Sequence, residues 1–339
     1  MIDLIVAGGG PVGLMTAIHA RLSGLDVAVV EPRSGPIDKA CGEGLMPDAL
    51  SRLQAVGVDP PGLDFHGIRY VTEGAVAEAR FRSGPGRGVR RLELQAAMDR
   101  RATDLDVGRV TGRVAAISQG DGWIEAGGLR GRYLVGADGL HSGVRRTLGL
   151  GETESGRQRF GIRQHFGARP WTDLVEVYWL DDVEIYVTPV SATTVGVAVL
   201  GRAPLHLDEA IARVPSLASR LDSVPRVSAP RGAGPLRQRV TARSAGRALL
   251  VGDAAGYVDA LTGEGLRVGF VEAEAVVRAV VTDDPDGYED EWRRITRSYR
   301  WLTGGLLWAA SRRRLRPMIV PAARALPPVF SRIVDSLAA

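Results

Sequence analysis

Ile2-Asp3-Leu4-Ile5-Val6-Ala7-Gly8-Gly9-Gly10-Pro11-Val12-Gly13-Leu14-Met15-Thr16-Ala17-Ile18-His19-Ala20-Arg21-Leu22-Ser23-Gly24-Leu25-Asp26-Val27-Ala28-Val29-Val30-Glu31 is the stretch on which the fold turns. It reads as a strand, a tight turn, a helix and a second strand, the opening of a doubly wound α/β sheet. Leu14, Ile18 and Leu22 recur at helical spacing, Pro11 suits the first helical turn and Gly24 the C-terminal cap. Val27, Val29 and Val30 make a buried parallel strand. Gly8 to Gly13 fits G-x-G-x-x-G, in which glycines let the main chain approach a pyrophosphate at a helix N-terminus. In a chain with 43 glycines such a match is weak by itself, and its place between strand and helix supplies the specificity. Glu31, followed by Pro32 and Arg33, stands where a carboxylate accepts ribose hydroxyls.

Outward from that stretch, the 339 residues are 45% apolar and 24% charged, a globular composition. No run approaches the roughly 18 apolar residues of a membrane span. Cys41 is the sole cysteine, so no internal disulfide forms and a cytoplasmic location is expected. Lys39 is the sole lysine, and 42 of the 43 basic residues are arginines. Residues 292–334 carry ten arginines and no acid, which makes the basic character local. No basic groove with stacking aromatics is legible, so nucleic acid is not an expected partner. The histidines at 19, 66, 141, 165 and 206 lack ligand spacing and no G-x-S-x-G elbow occurs, so neither a metal site nor a hydrolase is expected.

Helices are expected over 48–57 and 91–103, and short strands with Gly-rich turns over 107–137. The runs 160–167, 174–180, 183–190 and 194–200 predict an antiparallel sheet. A buried strand returns at 248–252, followed by a helix over 264–281, and 215–235 is the loosest stretch. The expected architecture is α/β. A discontinuous Rossmann-like domain covers 1–64, 86–155 and 241–290, an antiparallel-sheet substrate domain covers 65–85 and 156–240, and a helical tail covers 291–339.

Gly136-Ala137-Asp138-Gly139-Leu140-His141-Ser142-Gly143-Val144-Arg145 and Leu250-Val251-Gly252-Asp253-Ala254-Ala255-Gly256 each follow an apolar strand. They resemble the "DG" and "GD" segments of FAD-dependent flavoprotein hydroxylases, in the family's order, over residues 2 to about 280. The resemblance implies FAD as cofactor. Asp253 with Gly252 would meet the ribityl chain, and Asp138 with Gly139 would lie near the pyrophosphate. Val89-Arg90-Arg91-Leu92-Glu93-Leu94-Gln95 is similar to the family's V-x-R-x-x-L, which implies that Arg91 reaches the FAD phosphate region with Gln95 one turn on. It also implies an adenine contact at Val114 and contacts from Gly263, Gly265 and Leu266.

The branch is open at this level. Gly252 to Gly265 is closest in pattern to geranylgeranyl reductases and flavin-dependent halogenases, and Lys39-Ala40-Cys41-Gly42 resembles the reductases' K-x-C-G. Gly44-Leu45-Met46-Pro47 looks instead like the hydroxylases' G-L-x-P, and the halogenases' W-x-W is absent. Cys41 is open to two readings, a thiol over the flavin beside Gly42 or inert packing. The leading expectation is a monooxygenase that hydroxylates or epoxidises a largely apolar or aromatic small molecule with NAD(P)H and O2. The alternatives are a reductase saturating C=C bonds of a prenyl lipid and a flavin-binding protein without turnover. Tyr178, Trp179, Tyr186 and Pro189 are the substrate-pocket candidates. The arginine-rich tail reads either as a helix pair with a solvated basic face or as a peripheral contact with anionic lipid.

Overall fold

The computed structural model describes residues 1–151 and 158–338. Ile2–Ala7 and Val27–Glu31 pair in parallel on either side of helix α1 (Pro11–Leu22), which has Pro11 at its start and Gly24 just beyond its end at φ 79°. Both strands are almost wholly buried, which is why their valines and isoleucines run without polar alternation. The sheet they open has eight strands. Its main path runs Ser244–Ala245, Ala248–Leu250, Leu129–Gly136, Ile2–Ala7, Val27–Glu31 and Gly108–Thr111, with the ribbon Ile117–Gly120 and Trp123–Ala126 attached to Leu129–Gly136.

α1 is buried on the sheet side and again beneath α7 (Gly265–Thr282). Small residues make that layering possible. A Cβ at Gly269 of α7 would lie 2.5 Å from the Val12 methyl. Helices α2 (Pro47–Ala55) and α3 (Arg91–Asp104) lie within a residue or two of the expected ranges, and α4 (Gly143–Thr147) is a single short turn.

A second sheet of seven strands runs Arg231–Ala233, Phe160–Phe166, Thr194–Gly201, Glu184–Ser191, Val175–Trp179, Gly67–Thr72 and Ala75–Arg80. It corrects the expectation of a purely antiparallel sheet, because Val175–Trp179 pairs with Gly67–Thr72 in parallel. These two strands come from chain segments about a hundred residues apart, so no hairpin constrains their relative direction. One face packs beneath α5 (Leu207–Ala212) and α6 (Pro215–Leu221); the latter and Arg231–Ala233 give order to the stretch read as loosest.

The chain crosses between the sheets more than once, and the boundary expected at 155/156 lies outside the described residues. No break falls at 290/291. Helix α8 (Pro285–Ala310) runs through that boundary, about 39 Å long. Its start, Tyr288 and Trp292, packs in the core of the first sheet, and its end, Ala310, packs beside the second. α9 (Ile319–Ala325) and α10 (Pro327–Ala338) then lie across Ala75–Arg80. Among the described residues no helix is long and apolar enough to cross a membrane.

Candidate functional site

The glycines after the first strand hold a tight junction. Gly8 has φ 108°, and a Cβ there would sit 2.5 Å from the Ala137 carbonyl oxygen. A Cβ at Gly13 would lie 1.9 Å from the Gly8 carbonyl oxygen. No side chain caps the N-terminus of α1, so its first N–H groups are left for a ligand. Glu31 closes the end of the second strand. It accepts the Gly9 N–H at 2.8 Å and, from Arg33, the main-chain N–H at 3.1 Å and Nε at 2.7 Å. Burial opposes ionisation of Glu31, but the Arg33 guanidinium and these N–H donors outweigh it and hold the carboxyl below its ordinary value.

Arg91 opens α3, is 8% exposed, and its Nε has no hydrogen-bond partner among the described residues. The guanidinium overhangs the glycine loop, where a Cβ on Gly10 would be 3.9 Å from Nη2. Burial pulls it below its ordinary value, and Cys41, Asp253 and Glu43 nearby offset this only in part. A buried guanidinium with open donors beside a helix N-terminus calls for an anion. Gln95, one turn on, is spent differently: it donates to the Gly9 carbonyl at 2.7 Å and so braces the loop from behind.

Asp138 accepts from the Ser142 hydroxyl and from the N–H groups of Gly143 (2.6 Å) and Val144 (3.1 Å), which makes its carboxylate a cap for α4. Arg145 then reaches back, donating to the carbonyls of Asp253 and Ala254, each at 3.1 Å, and of Leu140 at 2.7 Å. It thereby ties the two aspartate segments together. Asp253 meets Lys39 Nζ at 3.3 Å. Beneath Asp253 the Gly252 N–H donates to Glu272 Oε2 at 2.5 Å.

These segments surround one cavity of about 970 Å³. Gly8, Gly10, Pro11, Val12, Glu31, Pro32, Arg33, Cys41, Gly42, Arg91, Val114, Asp138, Gly139, Gly252, Asp253, Gly263, Gly265 and Leu266 line it, while Gly13 and Gln95 stand behind the wall. Beyond the Cys41 turn the walls become apolar: Phe65, Ile68, Tyr70, Val177, Leu200 and, from α10, Leu337. Of the four substrate-pocket candidates, Tyr186 lines the cavity, its hydroxyl donating to the Leu261 carbonyl at 2.7 Å.

Tyr178, Trp179 and Pro189 do not line it, a correction that strand geometry explains. Tyr178 points to the opposite sheet face and donates to Glu176. Trp179 shares the cavity face but packs behind Tyr70, with ring centroids 5.4 Å apart. Pro189 turns its carbonyl onto Gly88, where a Cβ would lie 1.7 Å away. Sequence reasoning passed over Glu43, Arg163 and Thr188 and quoted Lys39 only within the K-x-C-G resemblance, and all four stand on the wall. Lys39, as the lone lysine beside Cys41, was the one with a visible signal.

Glycine-loop amides, a ribose-ready carboxylate, an unpartnered buried arginine and a long cavity together fit a dinucleotide, and the comparisons name it. A family described as FAD binding domain matches residues 87–281. The chain belongs to the FAD-binding domain family. This flavoprotein is an FAD-dependent oxidoreductase of the monooxygenase superfamily, which holds hydroxylases and reductases alike.

The flavoprotein is 29% identical to the menaquinone reductase of Mycolicibacterium smegmatis, over 86% of this chain and 79% of that relative. It is 33% identical to a 3-(3-hydroxy-phenyl)propionate/3-hydroxycinnamic acid hydroxylase of Mycobacterium avium, over 46% of this chain and 33% of the relative. Its fold matches the crystal structure of p-nitrophenol 4-monooxygenase PnpA from Pseudomonas putida with a TM-score of 0.76 at 19% identity, over 99% of this chain and 95% of that one.

Proposed function

We propose that this flavoprotein is a monooxygenase that hydroxylates or epoxidises a largely apolar or aromatic small molecule with NAD(P)H and O2. The observation that carries the reading is the continuity of the cavity: a polar arm at the glycine loop runs into an apolar arm beneath the seven-stranded sheet. In this reading Glu31 accepts the adenosine ribose hydroxyls, Arg91 and the N-terminus of α1 hold the pyrophosphate, Val114 flanks the adenine, and Asp253 accepts from the ribityl chain. FAD, when bound, supplies electron transfer between NAD(P)H and O2 and the activation of oxygen. The protein's own part is to orient the substrate against Tyr186 and the apolar arm and to exclude water.

A second reading, reduction of C=C bonds in a prenyl lipid, is favoured by one observation: the Cys41-Gly42 segment stands on the cavity wall. The near full-length match to a menaquinone reductase supports it further. Mass analysis of products from NAD(P)H-driven turnover separates the two. Incubations with apolar phenols should yield a product one oxygen atom heavier, labelled from ¹⁸O2. A product from an isoprenoid quinone that stays two hydrogens heavier after reoxidation of its ring in air, and is free of label, would overturn the monooxygenase reading in favour of the reductase.

A further inference from the structure

The turn that carries Cys41 and Gly42 to the wall places Glu43 at φ 62°, in the left-handed region that non-glycine residues seldom occupy. The residue is 3% exposed and borders the cavity. Glu43 Oε1 accepts the Arg91 main-chain N–H at 2.9 Å, and Oε2 lies 2.5 Å from His165 Nε2. Gly196 leaves the carboxylate room, since a Cβ there would be 3.1 Å from Oε2.

On the far side of the imidazole, Nδ1 faces Ser228 Oγ at 2.8 Å and Arg163 Nη1 at 3.3 Å. A guanidinium only donates, so Nδ1 is an acceptor and the ring hydrogen sits on Nε2, directed at Glu43. Ser228 Oγ accepts the His165 main-chain N–H at 3.0 Å, which leaves its own hydrogen for Nδ1. Ser228 is half-buried, and its neighbours Val227 and Ala229 are exposed. The hydrogen-bonded chain therefore runs unbroken from the cavity wall to a half-buried serine within an exposed segment.

The charges that face it come from several elements. Arg163 Nη2 lies 3.5 Å from Glu43 Oε1 and 2.6 Å from Asp38, which Arg231 also holds at 3.0 Å. The Arg91 guanidinium acts on Glu43 from α3, and the Glu43 N–H donates to Cys41 Sγ at 3.4 Å.

We propose that Glu43, His165 and Ser228 form a proton-exchange path between the flavin cavity and solvent, with Glu43 the group that gives or takes the proton inside. The proposal rests on FAD occupying this cavity, and not on oxygen insertion. Inward, the Ser228 O–H breaks as Nδ1–H forms, solvent reprotonating the serine, and Nε2–H breaks as the Glu43 O–H forms. Glu43 then gives that proton to an acceptor in the cavity. Inward transfer leaves the ring as its Nδ1–H tautomer; outward transfer reverses each step, Glu43 returning a proton to Nε2 as Nδ1–H passes to Ser228, and restores the Nε2–H tautomer that the Arg163 guanidinium favours.

His165→Gln keeps an N–H donor for Glu43 but has no second ring nitrogen to take a proton from Ser228. In the FAD-loaded protein, proton uptake on anaerobic flavin reduction by the electron-only donor reduced methyl viologen, read with an indicator dye in stopped flow, should slow by about tenfold or more. ¹⁵N NMR of labelled histidine, with only five histidines to assign, should show His165 with Nε2–H and a bare Nδ1. A His165→Gln protein that retains FAD and takes up protons at the wild-type rate overturns the path, as does an Nδ1–H resting tautomer. If that variant does not fold, Ser228→Ala decides: slowed uptake supports the path and wild-type uptake overturns it. Products lacking inserted oxygen would sink the monooxygenase reading and leave these rates meaningful.

Discussion

Glu272 is a buried carboxyl that accepts the Gly252 N–H beneath the turn that carries Asp253. Burial pushes it up to about 8, against the Gly252 N–H that favours the charged form. Between its ordinary value of 4.5 and about 8 the folded protein holds a proton that the unfolded chain has released. The associated stability is present below the ordinary value and is lost as pH rises toward 8. Glu272→Gln keeps an acceptor for Gly252 and cannot ionise. Its stability should fall less than the wild type's across that window, by an amount on the order of a few kcal/mol. Denaturant unfolding at several pH values measures this, and parallel curves for the two proteins would show that Glu272 does not titrate there.

At the scale of elements, two loops from different parts of the chain must be held in register, and Arg145 does this from α4. Its guanidinium donates to three main-chain carbonyls and to Gln238 Oε1 at 2.7 Å. Arg145→Met fills much of the volume but leaves these acceptors unpaired in a buried place, a loss of about 3 kcal/mol. The variant should unfold at lower denaturant and release FAD more readily, read by flavin fluorescence after dilution. Unchanged flavin retention would mean that the loops hold their register without it.

Arg145 was visible in the sequence as part of a contiguous segment, and so were the glycine loop, Glu31 and Asp253, because each is a local signal at a strand end. Glu43 and His165 were not, since their contact joins residues 122 apart and neither belongs to a motif. The strand aromatics failed for a related reason. Alternation divides Tyr178 from Trp179, but only the packing of Tyr70 and of the C-terminal helices decides which cavity-side residue reaches the cavity.

The whole molecule raises the question of how an apolar ligand would reach a buried arm. That arm ends at Leu337 of α10, whose inner residues Phe330 and Val334 pack on the second sheet while Val329 and Ile333 are exposed. Nearby in the chain, Trp301 (77% exposed) and Trp308 (55% exposed) are seven residues apart on α8 and so share a helix face. Arg312, Arg313 and Arg314 are exposed just after them, in a stretch with no acidic residue from 292 to 334. Exposed tryptophans beside arginines suit the interface of an anionic bilayer, where each arginine contributes about 1 kcal/mol. We therefore expect the flavoprotein to cosediment with phosphatidylglycerol vesicles at low salt and not with phosphatidylcholine vesicles. Added salt should weaken the binding. Trp301→Ser with Trp308→Ser should lower the affinity by roughly tenfold while leaving flavin content unchanged, since neither residue lines the cavity. Equal partitioning of wild type and double variant would mean that the arginines alone, or nothing on this face, meets lipid. In that case an apolar substrate would have to arrive from water.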